Sequence, residues 1–336
     1  FGLSADFVKN ETTREGIQRG YDINLRNIAI GFRAGKRWTS SIGSHPFSTV
    51  GYRVELTEDI VGTPNETYKV QIDGNGGLTQ FYWDHSYEII DRLSLGVSLN
   101  YLFGKIETKE KISAENIAQE VIVYQNSYMN KFFMDFGIQY DFLFKKDYAV
   151  TLGGVFGTNH AINIKNDISV SQSTGTVFEE EVTRKGTFNM PMHAGFGLAV
   201  NYKNKLTVTA DYLYNDWSQT SSKESNFTYK SNSQIHAGIE FIPGRFADLG
   251  YFGGVAYRLG YYYEQSYLEI RRKRVADNGF SAGLGFPMLQ NKTTFNVSYN
   301  YGVNGTLENG LIKERYHSFM VSLTLHDWWF IKRKID

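Results

Sequence analysis

The stretch His193–Asn215, reading HAGFGLAVNYKNKLTVTADYLYN, limits what this chain can fold into more than any other. In its first half Ala194, Phe196, Leu198, Val200 and Tyr202 share one face, and Gly195, Gly197, Ala199 and Asn201 share the other. The second half sets Leu206, Val208, Ala210, Tyr212 and Tyr214 against Thr207, Thr209 and Asp211. A period of two belongs to a strand whose faces meet different surroundings. Between the halves, Lys203-Asn204-Lys205 makes a tight polar turn. Each arm has about nine or ten residues, the length a tilted strand needs to cross a bilayer. The expectation is a hairpin of a transmembrane β-barrel with its apolar face toward lipid.

The same alternation recurs along the chain. Leu93, Leu95, Val97, Leu99, Tyr101 and Phe103 oppose Ser94, Gly96, Ser98 and Asn100. Phe295, Val297, Tyr299 and Tyr301 oppose Asn296, Ser298 and Asn300, and Phe319, Val321, Leu323 and Leu325 oppose Ser318, Ser322 and Thr324. The inward set is mostly Gly, Ser, Thr and Asn, which leaves a lumen room for water, a plug or a ligand. A soluble sandwich or propeller is the competing fold. Its strands usually run about five or six residues, and it would leave Tyr261, Tyr262 and Tyr263 or Trp328 and Trp329 in water.

Composition agrees. The 336 residues include 23 Tyr and 24 Phe but only 5 Pro, which suits many strands and two aromatic girdles. No apolar run approaches the roughly 18 residues of a membrane helix. The mean hydropathy of −0.36 does not oppose a barrel, which hides half its residues from lipid. A formal net charge of zero gives no nucleic-acid surface, and the absence of Cys removes disulfide and thiolate chemistry. Phe1, Leu3, Ala5 and Phe7 already alternate, so a mature or truncated chain, its export signal removed, is expected.

Short turns and longer polar segments take turns. Gly35-Lys36, Ile90–Arg92, Lys145–Asp147, Lys203–Lys205, Gly244–Gly250 and Gln290–Lys292 are short. Lys9–Gly20, Thr57–Glu66, Thr108–Gln119, Gln172–Gly175, Gln219–Glu224, Lys273–Asn278 and Asn304–Gly310 read as loops. These thirteen connections predict an all-β, antiparallel up-and-down barrel of about 14 strands, an even number as bacterial barrels have. The strands are expected at 1–8, 22–34, 37–56, 77–89, 93–107, 120–144, 147–171, 177–202, 206–218, 225–242, 251–272, 279–289, 293–303 and 314–331. Short turns face the periplasm in such barrels, which puts both termini there. One domain, 1–336, is expected in the Gram-negative outer membrane, with extracellular hairpins near 108–119, 172–178, 219–225, 273–278 and 304–313.

The rule fails in the third strand. Trp38 and Ile42 start on the lipid face and Val50, Tyr52, Val54 and Leu56 end on it, but Ser44, Pro46 and Ser48 hold that face between them. Proline cannot donate a ladder hydrogen bond, so Ser44, His45, Pro46, Phe47 and Ser48 predict either a lateral opening or a bulge that only sets curvature. Pro191 is a second break with the same two readings, and Pro287 lies near a strand end.

Chemistry-bearing clusters are few. Of seven His, at 45, 85, 160, 193, 236, 317 and 326, none has metal-ligand spacing beyond the loose Trp83-Asp84-His85. His193 and His236 face the lumen by parity, where a structural hydrogen bond is expected. No Ser/His/acid spacing singles out a hydrolase, so a non-enzyme without cofactor or metal is expected. Glu179–Glu181 reads as a solvated loop base. Arg271, Arg272, Lys273 and Arg274 lie at an expected outer hairpin tip and suit either solvent or anionic lipid headgroups. Lys332-Arg333-Lys334 follows Trp329 and Phe330, as at the inner edge of an aromatic belt.

Ile42–Tyr52, Gly74–Trp83, Leu93–Gly104 and Arg315–Phe330 together make the chain similar to the outer-membrane long-chain fatty-acid transporter (FadL-like) family. The resemblance is architectural over most of the chain. It implies fourteen strands, periplasmic termini and a kinked third strand that opens sideways. That family has an N-terminal hatch with an Asn-Pro-Ala-like motif, and this sequence contains no Asn-Pro, so its ligand residues are not carried over. Two functions are implied. One is a channel for hydrophobic small molecules with lateral exit at strand three. The other is a structural subunit of an outer-membrane machine for protein secretion or barrel assembly. The partners expected are membrane lipid or lipopolysaccharide, a hydrophobic ligand, and other outer-membrane proteins or lipoproteins. An outer-membrane hydrolase is the third reading.

Overall fold

The His193–Asn215 alternation becomes a ladder that runs without a slip from Met192 opposite Asp216 to Tyr202 opposite Leu206. Lys203 and Asn204 both take the left-handed conformation, each at φ 54°, which matches the twist of the flanking strands. Lys205 N–H donates to the Tyr202 carbonyl at 2.9 Å and closes the turn. The computed structural model describes residues 2–12, 16–60, 66–114, 120–144, 147–172, 182–220, 227–244, 250–288 and 293–325. Glu179–Glu181, His326, Trp328–Phe330 and Lys332–Lys334 lie outside the described residues.

Seventeen described strands form one antiparallel sheet. They are β1 (Gly2–Thr12), β2 (Gly16–Arg33), β3 (Trp38–Asp59), β4 (Thr67–Ile90), β5 (Leu93–Ala114) and β6 (Val121–Phe144). Then come β7 (Tyr148–Gly157), β8 (His160–Gln172), β9 (Val182–Met190), β10 (Met192–Tyr202), β11 (Leu206–Asp216) and β12 (Phe227–Tyr229). The last are β13 (Asn232–Phe241), β14 (Ala256–Ile270), β15 (Lys273–Met288), β16 (Thr293–Gly305) and β17 (Lys313–Leu325). Most strands pair with their neighbours in sequence, and β17 pairs back onto β1 from Gly2 opposite Ser322 to Glu11 opposite Lys313.

Three expected long strands are each interrupted once. β7 and β8 both pair with β6, on either side of Thr158-Asn159. Pro191 separates β9 from β10, and β12 and β13 both pair with β14. On the edge toward β7 and β8 the ladders continue on both sides of Pro191, through β8–β9 and β7–β10, so on that edge the proline makes a kink.

Several expected loops are strand. Much of Lys9–Gly20, Thr108–Gln119 and Lys273–Asn278 belongs to β1, β2, β5 and β15, and the last hairpin turns on Arg271 and Arg272 alone. The expectation failed for a physical reason. Where both faces of a strand are polar the hydropathy alternation vanishes, while the backbone ladder continues.

On the inner face side chains meet across intervening strands. Tyr262 on β14 reaches Tyr316 on β17, a hydroxyl-to-hydroxyl contact of 2.5 Å that passes over Gly279 and Gly302. A Cβ at Gly302 would lie 2.3 Å from both tyrosines, so only glycine fits beneath them. The opposite face carries Ile30, Phe132, Leu259 and Phe280, each more than half exposed. Gly302→Val should therefore destabilise the fold by about 1–3 kcal/mol, read from urea unfolding in lipid vesicles, whereas substitution of outward-facing Phe280 by Leu should cost less than half of that.

Candidate lateral seam and lumen

The ladder between β2 and β3 is short. β2 joins β3 only from Arg33 opposite Thr39 to Ile28 opposite Ser44. Beyond that point β3 stays paired with β4 as far as Asp59 opposite Thr67, and β2 stays paired with β1 as far as Gly16 opposite Thr12. Among the described residues no rung joins β2 to β3 above Ser44. A bulge lies at the split on each strand. β2 carries an extra residue at Arg26, and β3 carries one at Phe47, between Pro46 and Ser48. Pro46 lacks an N–H and follows the last rung by two residues, where a missing donor costs least. On the outer face of β2 beyond the split, Tyr21 is 82% and Ile23 74% exposed.

The Phe47 bulge also exchanges the faces of β3. Cross-strand partners share a face, and one extra residue shifts the alternation. Before the bulge Ile42 opposes outward Trp83; after it Val50, Tyr52, Val54 and Leu56 oppose Gly76, Gly74, Ile72 and Val70 on the inner face of β4. The expectation that Val50–Leu56 end on the lipid face is therefore corrected. The outer positions there are Arg53 and Glu55, and Arg53 Nε donates to Asp73 Oδ1 at 2.6 Å. That hydrogen bond holds the Asp73 carboxyl below its ordinary range. Ser44 and Pro46 lie on the outer face, His45 lies inside with its ring 5.7 Å from that of Tyr82, and Ser48 follows on the inner face.

A hydrogen-bonded row runs along the inner wall from β3 to β10 near the start of the split. Asp84 accepts from Ser41 Oγ at 3.0 Å and from Ser98 Oγ. Asn100 accepts from Gln80 at 2.7 Å and donates to Asp135 Oδ2 at 2.9 Å. His193 Nε2 lies 3.5 Å from Asp135 Oδ1, the two closing over Gly157. Beside this row the lumen is apolar. Leu102 (0% exposed), Ile162 and Leu78 pack with Met129, Phe133 and Met190, and His160 stacks on Phe133 at 4.4 Å. Toward the short turns the inner wall is paved by Gly96, Gly137, Gly153, Gly195 and Gly197 around a cavity of about 380 Å³.

The remaining sequence candidates separate. Asp84 and His85 sit on opposite faces of β4, and His85 accepts from outward Trp38 Nε1 at 3.3 Å, so the pair cannot chelate together. Among the described residues no group of three or more His, Asp and Glu is placed to hold a metal ion. His236 faces the lumen 3.5 Å from Glu264. In the basic run, Arg271 donates to the Asn309 carbonyl at 2.8 Å, Lys273 pairs with Glu308, and Arg274 donates to the Ser231 carbonyl at 2.6 Å. Three of the four cations thus tie adjacent connections together. Sequence reading named Asp84 only in the loose Trp83-Asp84-His85 cluster and Asn100 only as an inward residue, and it missed Asp135, Asp277 and Tyr316. The available signal was a carboxylate, Asn or Tyr at an inward position among Gly and Ser.

A family model described as BamG matches residues 1–336. No curated protein matches the sequence. Among solved structures, the CymD monoaromatic hydrocarbon channel is 12% identical, covering 97% of this chain and 87% of its own, with a TM-score of 0.55. The Ralstonia pickettii toluene transporter TbuX gives 12%, 97% and 89%, with a TM-score of 0.56. A Pseudomonas aeruginosa FadL homologue gives 10%, 96% and 89%, with a TM-score of 0.57. The fold is that of these FadL-type outer-membrane channels. Leu102→Ala should destabilise the protein by about 2–5 kcal/mol, measured by chemical unfolding in vesicles, because the fully buried site has no solvent to fill the void.

Proposed function

The chain belongs to the BamG family, and for it we propose an integral outer-membrane barrel of fourteen tilted strands, both termini periplasmic, that passes hydrophobic small molecules sideways into the outer leaflet. The fourteen arise when β7–β8, β9–β10 and β12–β13 each count as one wall strand. The observation that carries the reading is the split beyond Ile28 and Ser44 together with the face exchange at Phe47. The exchange turns Val50, Tyr52, Val54 and Leu56 inward beside the split.

A compound entering between the outer hairpins leaves water for this apolar wall, which favours it by about 25 cal/mol per Å² buried. Leu78, Leu102 and Ile162 form a floor beneath it, with the Asn100–Asp135 layer at the same depth. Descent toward the periplasm is thereby opposed, and the open flank between Leu25 and Phe47 leads to the lipid tails. No covalent chemistry is needed. His193 faces Asp135, His236 faces Glu264 and His160 lies on Phe133, pairings with acids and a ring that supply no nucleophile.

A second reading is an accessory subunit of an outer-membrane assembly. It is favoured by the bare strand edges of β2 and β3, since backbone groups without partners are costly in hydrocarbon and are met by adding a strand. Purification from native membranes separates the two. A protein that leaves the membrane alone with a bound lipid-like molecule supports transport, and a stable complex joined along β2 or β3 supports the subunit.

The chain has no Cys, so a cysteine pair can be introduced cleanly. Asn24→Cys with Ser48→Cys, bridged by a cleavable bis-maleimide, should cut uptake of a monoaromatic hydrocarbon into proteoliposomes at least about tenfold, with recovery on cleavage. Uptake that ignores the bridge would sink the lateral exit.

A further inference from the structure

The outer wall of β5, β6, β8 and β9 carries a row of cations directly above its aromatic belt. Tyr101 stacks on Phe103 at 5.4 Å and on Phe132 at 4.3 Å, a belt of the kind that marks a membrane interface. The next rung is Phe103, Asn130, Asn163 and Thr187, and the rung after it is Lys105, Tyr128, Lys165 and Lys185. Successive outward rungs are about 7 Å apart along a strand, so the lysines stand at headgroup height.

Tyr128 spaces the row. Its ring lies 5.6 Å from Lys105 Nζ and 5.9 Å from Lys165 Nζ, so one aromatic face holds two ammonium groups apart. The nearest acids are Glu107, paired with Lys105, and Asp167, 2.9 Å from Lys165. Both lie one outward position further from the belt, so an anion arriving from the lipid side meets the ammonium groups first. Lys185 stands opposite Lys165 and is exposed. The basic run Arg271–Arg274 offers no such row, since its side chains largely bind neighbouring carbonyls and Glu308.

We infer that Lys105, Lys165 and Lys185, spaced by Tyr128, bind the phosphate groups of a phosphorylated glycolipid in the outer leaflet. The long lysine stems lie along the wall while the ammonium groups reach the phosphates. The belt rings of Tyr101, Phe103 and Phe132 contact the upper ends of the same lipid's chains. The site lies outside the lumen and does not depend on the transport reading.

The test uses the purified full chain in phosphatidylcholine nanodiscs doped with diphosphoryl lipid A, with bound lipid counted by native mass spectrometry. The triple variant Lys105→Gln, Lys165→Gln, Lys185→Gln should bind this lipid roughly a hundredfold more weakly. Arg272→Gln should bind as the parent does, and the triple Lys→Arg variant should retain binding because the charge is kept. Heat-modifiable electrophoretic mobility identifies folded barrels, and Lys185→Gln alone, expected to weaken binding several-fold, serves if the triple variant fails to fold. Unchanged binding in the folded triple variant overturns the proposal, as does an equal loss in Arg272→Gln. Complete displacement of the lipid by inorganic phosphate also overturns it, since the row would then be a site for the free anion.

Discussion

Backbone amides and carbonyls in a hydrocarbon layer have no water to turn to, and every other feature of this molecule answers to that constraint. The sheet meets it by pairing adjacent strands along most of the wall and the last with the first. The price is rigidity of plan, because any interruption must be repaired locally. At Pro191 the wall is repaired: the adjacent strand breaks at Thr158-Asn159, and the ladders resume on both sides. Between β2 and β3 it is not repaired. Among the described residues β9 keeps its ladder with β8 and the upper part of β3 keeps its ladder with β4, so each break leaves one edge paired.

The inner surface is organised by the same rule in a second form. Polar side chains turned into a confined lumen need partners, and here they find one another across strands. Ser41, Asp84, Ser98, Asn100 and Asp135 link β3 to β6, and His193 extends the chain to β10. Tyr262, Tyr316 and Asp277 do the same on the far side, Tyr316 donating to Asp277 at 2.8 Å. These bonds link the strands beside the split and on the far side of the sheet.

Much of the fold was legible in the sequence. Alternation over Leu93–Phe103 or Phe295–Tyr301 is a direct record of two environments, and the strands lie where it runs. The polar ends of β5 and β15 were not legible, because Lys109–Ser113 and Lys273–Asp277 alternate between water and water. The face of Val50–Leu56 was misread for another reason. Parity counts residues, and a bulge adds one without leaving a compositional mark. Pro46 disclosed that something breaks there but not that inside and outside trade places. The lumen network was illegible as a network, since Asp84, Asn100 and Asp135 stand far apart in the chain and converge only through register.

The bulge at Phe47 makes the length of strand three matter more than its composition. Removing or adding a single codon upstream of Ser48, with every other residue retained, would move the alternate side chains from Ser48 to Glu58 from the inner face to the exterior and bring Arg53 and Glu55 to the interior. Relatives that share nearly all of this sequence can therefore differ in which residues line their lumens, through one small insertion or deletion. Aligning such proteins column by column would hide the change, and counting residues between the last β2–β3 rung and the Gly74–Gly77 segment would reveal it.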